Sequence, residues 1–354
     1  MIPDFLIAAV GVICISITLY DFSITTFLPS QHGPLTALIN HSVFRILFWI
    51  GGKKGRSPVL KYSGLAIIIS ILLAWVILLW LGVLLIFVSD PYSVLNGASK
   101  LPADFVEKFY YTGFTLSTLG VGDFVAGSDG WRVITAIAAY LGLITTTVSI
   151  TFLVPVISSA GQKRTLSRYI ESMGGTPERI VINSFNGEDF SNADSHLSAV
   201  TSMVLQYVQN QLTYPILHHM HNSSPNQNIV LRLASLDEAL SIYLFHIPED
   251  KQPSRMDLIV ARRALSSYLS NMRYLGTADT SPPPPKVEDV KEATGVQMQD
   301  TRTRELEDNY EVLEKRRRLW LCNLRSDGWK WEDMQETQED NDIDVPHTKI
   351  KLYA

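Results

Sequence analysis

The sequence predicts an all-α membrane protein, with an apolar helical half in a bilayer and a helical soluble domain behind it. Three observations predict this. Residues 5–28, 64–88 and 133–160 are each long enough to span a bilayer, and the last two stretches contain no charged residue. A span needs about 20 apolar residues at roughly 1.5 Å rise each. Charge is divided unevenly along the 354 residues: residues 1–160 hold eight Lys/Arg and seven Asp/Glu, and the remainder holds 22 and 28. Finally, a short apolar segment rich in glycine and threonine sits between the second and third spans, too short to cross and so expected to dip in and return.

The same composition excludes other classes. Cys14 and Cys322 are the only cysteines, which excludes a disulfide-built secreted domain. With a formal net charge of −5 there is no basic excess, so no nucleic-acid partner is expected. No nucleophile, acid–base pair or organic-cofactor motif is visible, and no enzyme is expected.

The first span is interrupted only by Asp21. It lacks the basic flank of a signal peptide and reads as a retained helix. Asp21 then lies near one end or faces neighbouring helices, because a lipid-facing charge at mid-depth costs several kcal/mol. Residues 35–50 form a shorter apolar stretch, read as a helix in the membrane interface or as a re-entrant piece. Lys and Arg cluster between spans one and two (Arg45, Lys53, Lys54, Arg56, Lys61) and after span three (Lys163, Arg164, Arg168). Both clusters read as cytoplasmic, which puts the N-terminus outside, the C-terminal domain inside, and the protein in the cell (plasma) membrane.

In the segment between spans two and three, Asp104 and Glu107 have the form of a capping box, opening one short helix of about 14 residues within Ala103 to Ser117. Thr118-Leu119-Gly120-Val121-Gly122-Asp123 follows. Glycine at alternate positions opens backbone angles closed to residues with a Cβ, so successive carbonyls can point the same way. A ring of such carbonyls replaces the water shell of a cation, and the carbonyl end of the short helix favours positive charge. One strand cannot enclose an ion, so four copies, a homotetramer, are expected.

These residues resemble the potassium-channel signature, usually written T-V-G-Y-G-D. Tyr110 and Tyr111 fall where that family has an aromatic pair in its pore helix, and Thr115 and Ser117 fall on its Thr-rich lead-in. Arg132 opens the third span, with Gly142 at the place of the family's gating-hinge glycine. The resemblance covers roughly residues 64–160. It implies an outer helix, pore helix, selectivity filter (Thr118 to Asp123) and inner helix, with K⁺ as permeant ion. Two positions depart from it. Val121 stands where Tyr or Phe is usual, so Tyr110, Tyr111 or Phe124 must pack inward to compensate or the filter is looser. Phe114 replaces an acidic residue that some members place behind the filter.

In the third span, Thr147 and Thr151 share a helix face and either line a water-filled cavity or bond back to the preceding turn. Pro155 removes a helix hydrogen bond and, with Gly142, is expected to form the gate. No helix carries a regular Arg/Lys repeat, so no voltage sensor is expected.

The expected organisation is an N-terminal transmembrane helix (1–30), an interfacial helix and cytoplasmic linker (31–62), the pore domain (63–160), a helical cytoplasmic domain (161–280), and a Pro-rich linker with charged helix and acidic tail (281–354). Residues 179–183 read as a short strand, and 192–213, 228–247 and 254–275 as amphipathic helices. His218 and His221 could share a helix face and hold a metal with a third ligand, or simply pack. Residues 302–325 read as a tetramerisation helix, a membrane-surface contact or a solvated helix, and 333–344 as disordered. Membrane lipids and an unidentified cytoplasmic regulator are the expected partners. The competing functional reading is a signalling scaffold built on a non-conducting pore fold.

Overall fold

The computed structural model describes residues 4–28, 31–52, 54–299 and 304–336. Its helices are α1 (Asp4–Phe27), α2 (Pro34–Ile50), α3 (Ser63–Val88), α4 (Phe105–Leu116), α5 (Asp129–Met173), α6 (Pro177–Asn183), α7 (Ala193–Thr213), α8 (Ile229–Phe245), α9 (Arg255–Asn271), α10 (Val287–Thr294) and α11 (Arg304–Ser326). Between α3 and α5 lies a two-stranded antiparallel ribbon, β1 (Val94–Asn96) with β2 (Phe124–Ala126), in the register Val94 to Ala126 and Asn96 to Phe124. Among the described residues three helices are long and apolar enough to cross a membrane: α1, α3 with the turn before it, and α5. The chain divides into two units. One gathers the chain up to Arg45, Gly64–Ile157 and Thr213–Ile216; the other gathers Ile46–Ser63, Ser158–Leu212 and the described residues from Leu217 on.

In the first unit, α1 and α3 meet at two glycines. A Cβ on Gly11 would lie 2.6 Å from the Gly82 carbonyl oxygen, and one on Gly82 would lie 2.7 Å from Ile15. Small residues let helix backbones approach where lipid supplies no hydrophobic drive for association. About three turns beyond Gly11, Asp21 is fully buried. Its carboxylate accepts the backbone N–H groups of Leu35 (2.7 Å) and Thr36 (3.1 Å), the Thr36 hydroxyl (2.7 Å) and the Trp75 indole N–H (2.9 Å). Asp21 therefore faces its neighbours and caps the N-terminus of α2 from a different helix, satisfying N–H groups that lack an intrahelical partner.

The second unit is built around α8, which is buried from Ile229 to Tyr243. A helix buried all round is a core helix, not the amphipathic one its spacing suggests. Its charges are paired. Asp237 accepts from Arg262 (2.7 Å), Arg316 (2.7 Å) and the Trp320 indole (2.7 Å), and Glu238 pairs with Arg317 at 2.8 Å. Arg232 donates to the Gly175 carbonyl at 2.7 Å. Burial opposes ionisation of Asp237, but Arg262, Arg316 and Trp320 outweigh it and hold its carboxyl down at about 2. Glu238 goes the other way: burial outweighs the pull of Arg317 and pushes its carboxyl up.

These pairings correct the expectation for the charged C-terminal helix. Trp320, Leu321 and Leu324 of α11 are buried in the unit's own core and Arg317 is buried against Glu238, so that face is neither solvated nor free for a coiled coil. Residues 179–183 are helical, in α6, not a strand. Thr176 caps the helix by accepting the Arg179 N–H, and Pro177 sits at its first position, where a missing N–H costs nothing. Asp333 is ordered too, in a turn (Trp331–Gln335) where it accepts the Lys330 N–H and pairs with Arg56 at 2.8 Å. The rest of the predicted acidic tail, 337–344, lies outside the described residues.

His218 and His221 both come near the buried Asp327, whose carboxylate lies 3.6 Å from His221 Nδ1 and also feels His218 and Lys163. His218 lies on a turn that ends at His219, and its ring faces Tyr274. His221 bonds the Gly55 carbonyl and stacks on Trp329. Among the described residues no group of three His, Cys, Asp or Glu converges to hold a metal ion.

Candidate ion-conduction site

Asp104 opens α4 with a complete capping box. Its carboxylate accepts the Glu107 N–H at 2.8 Å while the Glu107 carboxylate accepts the Asp104 N–H at 2.8 Å. The helix is anchored to α3 by Lys108, only 4% exposed. The Lys108 amine donates to the Phe87 (3.0 Å) and Asp90 (2.7 Å) carbonyl oxygens, placing a cation at the carbonyl end of α3.

The glycine-bearing segment leaves the last turn of α4 tightly tied. The Thr118 N–H donates to the Thr115 carbonyl at 3.0 Å, and the Leu119 N–H to the Phe114 carbonyl at 2.9 Å. Every second residue then lies in the left-handed region: Thr118 at φ +58°, Gly120 at +58° and Gly122 at +87°. Leu119 and Val121 between them do not. Positive φ strains any residue with a Cβ, so Thr118 adopts it at a cost and the two glycines adopt it freely. Alternating backbone angles of this kind let successive peptide carbonyls point to a common side.

At its far end the segment is held by the ribbon. The Gly97 N–H donates to the Asp123 carbonyl at 2.7 Å, and β2 begins at the next residue. Behind it stands an aromatic cluster. Tyr110 meets Phe114 edge-on at 5.2 Å and Phe124 at 6.2 Å; Tyr111 meets Phe87 at 5.2 Å and Phe114 at 5.1 Å. The Tyr111 hydroxyl bonds Thr135 on α5 at 2.9 Å, and the Trp131 indole donates to Asp90 at 2.9 Å. Phe114, standing where an acid was expected, is thus part of an apolar wall. The segment's own apolar side chains are uncovered, Leu119 69% and Val121 51% exposed.

On α5 the sequence-predicted residues are spread out. Gly142 is buried against the end of α4: a Cβ there would lie 2.1 Å from the Leu116 carbonyl oxygen. The helix continues through Gly142 and Pro155 as far as Met173. The Thr151 hydroxyl bonds back to the Thr147 carbonyl at 3.0 Å, and both residues are exposed. Sequence reasoning missed Lys108, Gly97 and the β1–β2 ribbon. The only sequence signal for them was that the loop had to return to the same membrane face.

Residues 69–159 match the family model described as an ion channel. That region belongs to the two-helix, potassium-channel-like ion channel family. It is also 31% identical to the uncharacterized membrane protein YdjJ of Bacillus subtilis (strain 168) over 324 residues, covering 91% of this chain and 94% of that protein. No solved structure matches it. The matched ion channel region contains α4, the glycine-bearing segment, and α5 from its start to Ser159.

Proposed function

We propose that four copies of this chain form a potassium-selective channel whose filter is Thr118, Leu119, Gly120, Val121, Gly122 and Asp123. The observation that carries the reading is the alternation of backbone angle at Thr118, Gly120 and Gly122, inside a region that matches an ion channel family. Carbonyls turned to one side of a single strand coordinate nothing alone; four strands around an axis make stacked rings that replace the hydration shell of K⁺. The exposed Leu119 and Val121 side chains fit this arrangement, since neighbouring copies would cover them. The carbonyl end of α4 adds negative potential below the filter.

In this reading α3 is the outer helix, α4 the pore helix and α5 the inner helix. Thr147 and Thr151 line the water-filled cavity, and Gly142 and Pro155 shape the gate. The N-terminus lies outside the plasma membrane and the second unit lies in the cytoplasm. The test is flux through purified protein in liposomes. K⁺ is expected to pass down its gradient with Na⁺ excluded. Gly120→Ala is expected to abolish flux while the tetramer still assembles, because an L-residue at that φ costs about 1–2 kcal/mol and deflects a carbonyl. Undiminished K⁺ flux through the variant would remove this segment from the conduction path, and absence of flux in the parent would refute conduction itself.

A further inference from the structure

Distant pieces of the chain meet at one enclosed histidine in the second unit. The His221 side chain has no exposed surface. Its Nε2 bonds the carbonyl of Gly55, in the connection between α2 and α3, at 2.6 Å. Its Nδ1 lies 3.6 Å from a carboxylate oxygen of Asp327, just past α11, and has no hydrogen-bond partner among the described residues. Packing is tight around the ring. Trp329 stacks on it at 5.9 Å, the Gly55 N–H donates to the Gly328 carbonyl at 2.9 Å, and a Cβ on Gly55 would lie 2.6 Å from the Trp329 indole.

Donor and acceptor types fix the number of protons on this ring. A carbonyl oxygen only accepts, so Nε2 carries a proton. An ionised carboxylate also only accepts, and a bare Nδ1 would turn its lone pair on Asp327 in an enclosed site, which is costly. With a second proton the ring is a cation paired with Asp327. The surroundings keep Asp327 ionised: burial opposes its charge, but His221, His218 and Lys163 outweigh burial and hold its carboxyl below the ordinary carboxylate range.

The other groups around Asp327 do not replace His221 in this pair. Burial pushes His218 down, and His219 meets the His218 ring edge-on. The Lys163 amine, from α5, donates to the Leu217 and Met220 carbonyls at 3.0 and 2.8 Å. Tyr207 of α7, Tyr268 of α9 and Tyr274 of the turn after α9 also feel Asp327, and burial pushes all three hydroxyls up, so they stay neutral. Arg56, beside Gly55, is taken by Asp333 and Glu336.

We propose that His221 is a proton-operated latch: as an imidazolium it ties the α2–α3 connection to the end of α11, and loss of its second proton as pH rises releases that connection. The pair is complete on the acid side and lost on the alkaline side, and histidine is the side chain suited to make this change near neutrality. The connection leads into α3, so release would bear on the channel; that consequence rests on the conduction reading, and the latch itself does not.

The test uses the full-length protein in detergent, labelled with 15N-histidine. At about pH 6 the ring signal that His221→Gln removes is expected to show both nitrogens protonated, and at about pH 9 only one. Hydrogen–deuterium exchange reads the release: corrected for intrinsic rate, protection of the peptide containing Gly55 is expected to fall about tenfold over that range. His221→Gln keeps an N–H donor for the Gly55 carbonyl and does not titrate, so its protection is expected to change less than about twofold. Asp327→Asn is expected to start from the lower protection at about pH 6 and to shift the His221 ring signal, which assigns that ring should His221→Gln fail to fold. A singly protonated His221 at about pH 6, or an equal fall in protection in His221→Gln, would overturn the proposal. The ring signal separates His221 from proton loss at Lys163. None of these readouts needs ion flux, so a non-conducting protein would refute the channel and leave the latch decided on its own.

Discussion

Replacing Gly142 by Ala adds a single methyl group, and the structure determines where it lands. A Cβ there would sit 2.1 Å from the Leu116 carbonyl oxygen and 2.8 Å from its carbonyl carbon, and ordinary van der Waals contact begins at 3.4 Å. The end of α4 and α5 must therefore separate by about 1.3 Å, a shift from opposed backbone atoms that no rotamer change can absorb. Overpacking of this kind costs about 1–3 kcal/mol per chain. Against it stands about 1 kcal/mol gained when a mid-helix glycine becomes alanine. The displaced carbonyl belongs to the last turn that holds Thr118 and Leu119, so the disturbance passes into the glycine-bearing segment proposed as the filter. From the sequence, Gly142→Ala would stiffen a hinge, lowering open probability and leaving selectivity alone. The structure changes the expectation: open probability falls, and the K⁺/Na⁺ reversal potential shifts toward Na⁺ with it. Single-channel recording in planar bilayers reads both quantities. A lowered open probability with an unchanged reversal potential would restore the hinge and refute the contact argument; no change in either would show that this approach does not persist in the assembled channel.

Val121→Tyr is expected to raise or preserve K⁺ over Na⁺ selectivity, since Val121 is half exposed and a ring can pack outside the Tyr110–Phe114–Phe124 cluster; a reversal potential moving toward Na⁺ would show that the cluster leaves it no room. Arg317→Met strands the buried Glu238 carboxylate and should destabilise the second unit by about 3–5 kcal/mol, read as a lowered Tm, with most of the loss recovered when Glu238→Leu is added. Asp237 has a folded pKa of about 2, below its unfolded value of about 3.9, so the folded state binds fewer protons between the two. Its contribution is fully present above about pH 4 and is lost as pH falls through 2; acid unfolding followed by circular dichroism should therefore become less steep in that window in Asp237→Asn, and an unchanged profile would refute the assignment.

Much of the membrane half was legible in the sequence because its determinants are local. Span length, the absence of charge, the Asp104–Glu107 pair and glycine at alternate positions act within a few residues of where they are read. The structure accordingly places α3, α4 and the positive φ angles at Gly120 and Gly122 where the chain implied them. Helix spacing in the second unit was legible for the same reason, and α7, α8 and α9 fall close to their expected bounds. The strand expected at 179–183 failed because a run of β-branched residues suits either state, and the Thr176-Pro177 start decided for helix.

What only the tertiary structure decided concerns groups whose partners are distant in the chain. Asp21 could be read as tolerable only near neighbours; that it caps α2 and holds Trp75 depends on helix packing. Arg316, Arg317 and Trp320 look like a solvated face until Asp237 and Glu238 are brought to them from 79 to 83 residues away. Gly142 reads as a flexible point in one dimension and is a point of close approach in three. The physical reason is the same in each case. Backbone preference and hydrophobic periodicity are properties of a segment, whereas the pairing of a buried charge and the clearance for a Cβ are properties of the surface it meets.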